Sequence, residues 1–234
     1  MRSLILTLSL LGLTLSGAAQ HEHRADSLRQ GLQNASTDSM KWSYALDLVI
    51  EYLNVDLDSA RKYAQLGIDF AKQGQLIEEE AKAYDFMGSV YNYKGEIEPS
   101  LQYYLKALAI SDSLGLEKMQ GQTHGNLGLL YSEAMDHNKA LFHLKQAIAY
   151  NSKLDLQKRV ANNLNTVGLV YLNQSRYDSA EYYFLEALPV FQKLNNQSGL
   201  SAIWENLGII KYNLEEYEAA LNYYEKAFEI DKVL

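Results

Sequence analysis

The chain has 234 residues, 47% of them hydrophobic, with 21 Lys and Arg against 29 Asp and Glu and no cysteine. That length and apolar content suffice for a packed core in a soluble protein. The net charge of −8 and the lack of any basic run argue against nucleic acid contacts, and the missing cysteines exclude disulfides, thiolate metal sites and cysteine nucleophiles.

Residues 1–19 read as a secretory signal: Arg2 supplies the positive start, Leu4 to Leu15 the apolar run, and Ser16-Gly17-Ala18-Ala19 the small residues that precede cleavage. A helix of that run reaches about 18 Å at 1.5 Å per residue, short of the roughly 30 Å of a bilayer core. Cleavage is expected after Ala19, with Ala18 and Gln20 as alternatives, and the mature chain is expected in the periplasm. Residues 20–37 form a leader. His21-Glu22-His23 allows two readings: a copper or nickel chelate if the chain begins at His21, or a disordered polar terminus, the favoured one. Residues 25–37 read as one short helix.

From residue 38 to 234 the pattern repeats. Leu164, Val167, Gly168 and Tyr171 lie at i, i+3, i+4 and i+7, one face of a helix; Ala180, Phe184 and Ala187 repeat that spacing after a break. The small residue of the second helix recurs every 40 residues as Ala60, Ser100, Ala140, Ala180 and Ala220, and seven residues on stand Gly67, Ala107, Ala147, Ala187 and Ala227. The glycine of the first helix recurs as Gly88, Gly128, Gly168 and Gly208, followed by Tyr91, Tyr131 and Tyr171. Five copies in one register make a repeat protein. The first is the weakest, with Leu48 for glycine and Glu51 for tyrosine. The hairpins are expected at 40–54 with 58–73, 77–94 with 98–114, 117–134 with 138–154, 157–174 with 178–194, and 198–214 with 218–233. Asp58 and Asp178 suit N-caps, and Pro99 suits a first turn. Gly115, Asp155 and Asn195 suit left-handed caps. Pro189, inside its helix, is expected to bend it.

No catalytic pattern is present: no HExxH, no GxSxG and no phosphate-loop glycines. His124 and His143 stand in columns otherwise filled by Tyr84, Leu164 and Trp204, or by Tyr103, Tyr183 and Tyr223, and read as packing residues. His137 lies in the same repeat. Glu78-Glu79-Glu80 favours a helix start. The tyrosine doublets 103–104, 182–183 and 223–224 read as inter-helix packing. The expectation is a non-enzymatic protein with no cofactor and no metal.

Trp204, Leu207, Gly208, Ala220, Tyr224 and Ala227, like the copy at Leu164–Ala187, resemble the tetratricopeptide repeat (TPR) family. The period here is longer than the family's usual one, and Lys72, Asp112, Ser152 and Gln192 stand where a proline often closes a repeat. The resemblance implies an all-α, right-handed superhelical solenoid of five antiparallel hairpins whose first helices line a concave groove. It also implies a protein or extended-peptide partner. In family members that hold extended peptides, asparagines form a ladder to the peptide backbone. Asn126 and Asn206 share that column with Thr166, and Leu46 and Phe86 break it. Asn165, Asn173, Asn213, Asn92, Lys82 and Tyr93 fall in other groove columns. The alternative for Asn126 and Asn206 is a bond to a neighbouring helix. The family's carboxylate-clamp pattern is not reproduced. The export signal followed by lengthened, Tyr-rich repeats resembles the periplasmic input regions of bacterial sensor histidine kinases and regulators, in which a membrane helix follows; a free-standing scaffold is the alternative. Tyr223, Ile230 and Leu234 read as an apolar face with nothing after it, so either self-association through the last hairpin or fraying there is expected.

Overall fold

The computed structural model describes residues 21–232, so the signal, Gln20 and Leu234 lie outside the described residues. Those residues form eleven helices and no strand. The first, α1, covers residues 21–34. The other ten pair as antiparallel hairpins: α2 (Asp38–Tyr52) with α3 (Leu57–Gln73), α4 (Ile77–Tyr93) with α5 (Ile97–Leu114), α6 (Glu117–Glu133) with α7 (His137–Lys153), α8 (Gln157–Asn173) with α9 (Tyr177–Lys193), and α10 (Gln197–Asn213) with α11 (Tyr217–Asp231). Contacts divide the chain into two compact units, up to Ile110 and from Ser111.

The turns share one geometry on a twenty-residue rhythm. Gln75, Gly95, Gly115, Met135, Asp155, Ser175, Asn195 and Glu215 all have φ between +48° and +72°. In each turn the next N–H reaches back to a carbonyl five residues earlier, as from Leu76 to Ala71, Asp136 to Tyr131 and Glu216 to Lys211. This is the Schellman pattern, which satisfies carbonyls that a helix end leaves open. Gly115, Asp155 and Asn195 are left-handed as their column suggested. Gly95 and Gly115 adopt that conformation without a Cβ penalty. The N-caps differ from expectation. They fall two residues earlier, at Asp56 and Arg176, and Asp58 and Asp178 lie in the first turn. Asp56 accepts from the amides of Asp58 and Ser59, leaving Asp58 to pair with Lys94 at 2.8 Å. Pro99 sits in the first turn of α5, and α9 runs unbroken through Pro189.

The glycine column admits side chains rather than backbone. A Cβ at Gly168 would lie 2.5 Å from the Phe184 ring, at Gly208 2.5 Å from Tyr224, at Gly88 2.6 Å from Tyr104 and at Gly128 2.6 Å from Leu144. Each hairpin core is therefore a glycine on the first helix receiving a bulky residue from the second. The first hairpin inverts the pair: Leu48 stands in the glycine column and Ala64 in the ring column, both fully buried in the same cluster. What reads as the weakest copy is a complementary exchange of volume.

α1 belongs to the first unit. Ala25, Leu28 and Leu32, at i, i+3 and i+7, join the cluster that contains Leu48 and Tyr52. The His21 ring lies edge-on to Tyr52, its Nε2 is 2.9 Å from the carbonyl of Glu51, and Arg24 pairs with the Glu51 carboxylate at 3.1 Å. The leader is thus helical from residue 21, four residues before the expected start, and the favoured reading of His21-Glu22-His23 as disordered does not hold. The cause is the last turn of α2, whose open carbonyls need a partner.

At the far end of the second unit the exposed face is not the one expected. Tyr223 is half-buried because it stacks on Trp204 inside its hairpin, at 5.6 Å between ring centroids, and Ile230 is half-buried as well. The apolar residues of α11 left exposed are Tyr217, Leu221 and Phe228.

Candidate functional site

Two groups of polar residues stand out in the second unit. The first is interior. His124 on α6 and His143 on α7 meet with their Nδ1 atoms 2.9 Å apart. One Nδ1–H donates to the other's lone pair, so the two neutral rings carry opposite tautomers. His143 stacks on Tyr131 at 5.4 Å, the place Tyr183 takes on Tyr171 at 5.4 Å, and Tyr103 on Tyr91 at 5.5 Å in the first unit. His124 stacks on Tyr150 at 6.0 Å. Burial depresses the pKa of both imidazoles; His143, further disfavoured by His124 and Lys139, is held down to about 4. The pair is a neutral packing unit that substitutes for two larger apolar or aromatic residues. Nearby, the Asn151 amide is buried with no hydrogen-bond partner for either atom. No group of three or more His, Asp or Glu among the described residues is placed to hold a metal ion.

The second group is on the surface of the first helices. α6, α8 and α10 lie side by side, α8 touching both others. Each shows solvent one stripe at four-residue and three-residue steps, and the stripes align into rows at 40-residue intervals. The row nearest the N-termini carries Lys118 and Lys158, both exposed. Gln122, Asn162 and Ala202 follow, then a row of amides and hydroxyls, with Asn126 and Thr166 half-buried and Asn206 only 9% exposed. Next comes an apolar row of Leu129, Leu169 and Ile209, and last Glu133, Asn173 and Asn213, all exposed.

Bonds across the helices tie these rows together. Asn206 donates from Nδ2 to Asn165 Oδ1 at 3.2 Å, the neighbouring-helix bond that was the alternative for this column. Arg159 of α8 donates from Nη2 to Gln122 Oε1 of α6 at 2.7 Å. Asn173 and Asn213 sit together at the C-terminal row. In the first unit, Lys82 is half-buried, pairs with Glu78 at 2.7 Å and lies over the Trp42 ring; Asn92 is half-buried and Tyr93 exposed. The sequence reading missed Lys118, Lys158, Arg159 and the apolar row. Part of their signal was available: Lys118 with Lys158, and Leu129 with Leu169 and Ile209, recur at 40 residues in columns of their own, beside those of the asparagines that were singled out.

A family model for the tetratricopeptide repeat matches residues 79–153 and 159–232. The chain belongs to the tetratricopeptide repeat family. Solved structures share the fold at low identity. BtubC (BKLC) from P. vanneervenii matches at 19% identity and a TM-score of 0.77, covering 91% of each chain. Aspartyl phosphate phosphatase F from Bacillus subtilis matches at 19% and 0.72, over 83% of this chain and 51% of that one. A Rap protein complexed with competence and sporulation factor matches at 20% and 0.76, over 88% of this chain and 57% of that one. This TPR chain therefore spans about half the length of the last two. No curated protein matches it. TPR proteins are generally protein-interaction modules, and the first hairpin, outside the matched residues, keeps the hairpin geometry of the rest.

Proposed function

We propose that this chain is a non-enzymatic binding module that holds an extended peptide or protein segment across its first helices. The observation that carries the reading is the aligned row of amide and hydroxyl side chains on α6, α8 and α10. An amide offers donor and acceptor together, so such a row matches successive peptide units without selecting their side chains. Asn126, Asn165 and Asn206, with Asn173 and Asn213 beyond them, are the contacts proposed in the second unit; Lys82, Asn92 and Tyr93 are those in the first. The solved Rap complex with competence and sporulation factor supports this reading by likeness of fold.

A random decapeptide array probed with residues 20–234 tests it. Selected peptides are expected to bind the Asn126→Ala, Asn206→Ala double variant ten- to a hundredfold more weakly, since each net hydrogen bond contributes about 0.5–1.5 kcal/mol, while the circular dichroism stays unchanged. Equal binding by the double variant would remove these side chains from the site.

The module acts in the periplasm, as the input or scaffold region of a bacterial signalling protein. The signal pattern of residues 1–19 supports export, and no described helix is long and apolar enough to cross a membrane. Mass spectrometry of the chain from a periplasmic extract is expected to find Gln20 at the N-terminus; an intact Met1 would count against export.

The chain also self-associates through α11. In α9 the equivalent residues Tyr177, Glu181 and Leu188 are half-buried, and α9 is in contact with α10; in α11 the same columns present exposed Tyr217, Leu221 and Phe228. A two-fold pairing of antiparallel α11 helices sets Leu221 of one copy against Phe228 of the other. Light scattering after size exclusion should give a dimer that Leu221→Glu with Phe228→Glu converts to a monomer. A monomeric wild type at micromolar concentration would end this reading.

A further inference from the structure

The surface of the second unit carries more information than a backbone-binding amide row. Its apolar row places one side chain on each of three neighbouring helices: Leu129 and Ile209 are each 38% exposed, with half-buried Leu169 between them. On the other flank, two helical turns before the amide row and beyond Gln122 and Asn162, stand Lys118, Lys158 and Arg159. The Arg159 guanidinium reaches the carbonyl of Lys118 at 3.5 Å, and none of the three has a carboxylate partner among the described residues. Glu117, the adjacent carboxylate on α6, is taken by Lys153.

We propose that this face selects an acidic peptide in the left-handed polyproline II conformation, with an apolar residue at every third position. The inference rests on the peptide-binding reading above and adds the class of ligand. Packed helices stand roughly 10 Å apart, so a chain crossing them meets one apolar ledge per 10 Å or so. A β-strand advances about 3.3 Å per residue and alternates its faces. Its third residue arrives at the right distance but points the wrong way. A polyproline II helix has three residues per turn at about 3.1 Å each, so residues i, i+3 and i+6 share one face about 9.3 Å apart. That repeat fits the row. The conformation has no internal hydrogen bonds, which leaves its peptide groups open to the amides alongside. Acidic residues on its second face meet Lys118, Lys158 and Arg159, whose attraction is strongest at low salt.

Fluorescence anisotropy with three labelled dodecapeptides tests the proposal: four repeats of Leu-Pro-Glu, the same composition with the leucines moved out of three-residue spacing, and four repeats of Leu-Pro-Lys. The first is expected to bind at least tenfold more tightly than either other. Its affinity should fall as salt rises, and Lys118→Glu with Lys158→Glu, or Leu129→Ser with Ile209→Ser, should each lower it tenfold or more. Equal binding of the rearranged peptide overturns the three-residue register and leaves the peptide-binding reading standing. Failure of all three peptides, while array-selected peptides bind, overturns the ligand class alone; failure of every peptide ends both.

Discussion

Gly168→Leu is expected to destabilise the fold by about 1–3 kcal/mol or more, because the core around it is already full. Its Cβ alone would lie 2.5 Å from the Phe184 ring, which is itself completely buried. Phe184→Ala should cost about 3–5 kcal/mol through the cavity it leaves. The two changes together should cost much less than their sum, because the first hairpin already holds the exchanged pair as Leu48 and Ala64. Urea melts of the two single variants and the double variant give the coupling directly. Additive losses would show that the first hairpin accommodates Leu48 by some other adjustment.

A second large effect is expected from pH. His143 is held down to about 4, and His124 is also lowered, in both cases mainly by burial. An unfolded imidazole titrates near 6.5. Between these values the unfolded chain binds more protons than the folded one, so stability rises with pH across that range. The contribution is complete above about 6.5 and is lost as the pH falls toward 4. Because the pair is partly exposed, the full unit-for-unit conversion is discounted, and the expected loss is roughly 1–3 kcal/mol. The groups facing the pair are Asp112, Lys139, Tyr131 and Tyr150; Asp112 opposes the shift of His124, and Lys139 adds to that of His143. The repeat that follows supplies the control. Leu164 and Tyr183 occupy the same two columns, so His124→Leu with His143→Tyr should keep the stack on Tyr131 and flatten the stability profile between pH 4 and 6.5. A double variant with the wild-type pH dependence would place the titrating groups elsewhere.

Both predictions concern residues whose column was legible long before their role was. The 40-residue register identified Gly168 and His143 as positions, and it identified the family. It could not say that the glycine faces a ring, since a small residue suits a backbone crossing and a bulky neighbour equally well. Nor could it show that two histidines on different helices meet at Nδ1. The leader illustrates the same limit: residues 21–24 look like a polar terminus until Glu51 and Tyr52 are seen to receive them.

The binding face divides in the same way. Asn126, Asn165 and Asn206 could be selected from sequence because their columns repeat and their side chains are chemically distinctive. The Asn206–Asn165 bond follows from the placement of α8 beside α10; whether the same column holds a peptide is what the Asn126→Ala, Asn206→Ala double variant tests. Lys118 lies 40 residues from the Lys158-Arg159 pair; they become an edge because α6 and α8 lie side by side.

What the sequence determined by itself is everything carried by local periodicity. This includes ten of the helices, their ends to within two residues, the left-handed turns at Gly115, Asp155 and Asn195 and the hairpin pairing, because spacing along a helix is also position on its surface. What the tertiary structure alone decided is how each shared column is occupied. Volume is conserved across a pair of helices rather than at a residue, so Leu48 with Ala64 and Gly168 with Phe184 are one solution written in two ways. The exposed end is a case of the same kind: Tyr223 is withdrawn by its stack on Trp204, and Leu221 and Phe228, which pattern alone did not single out, are the residues that face water.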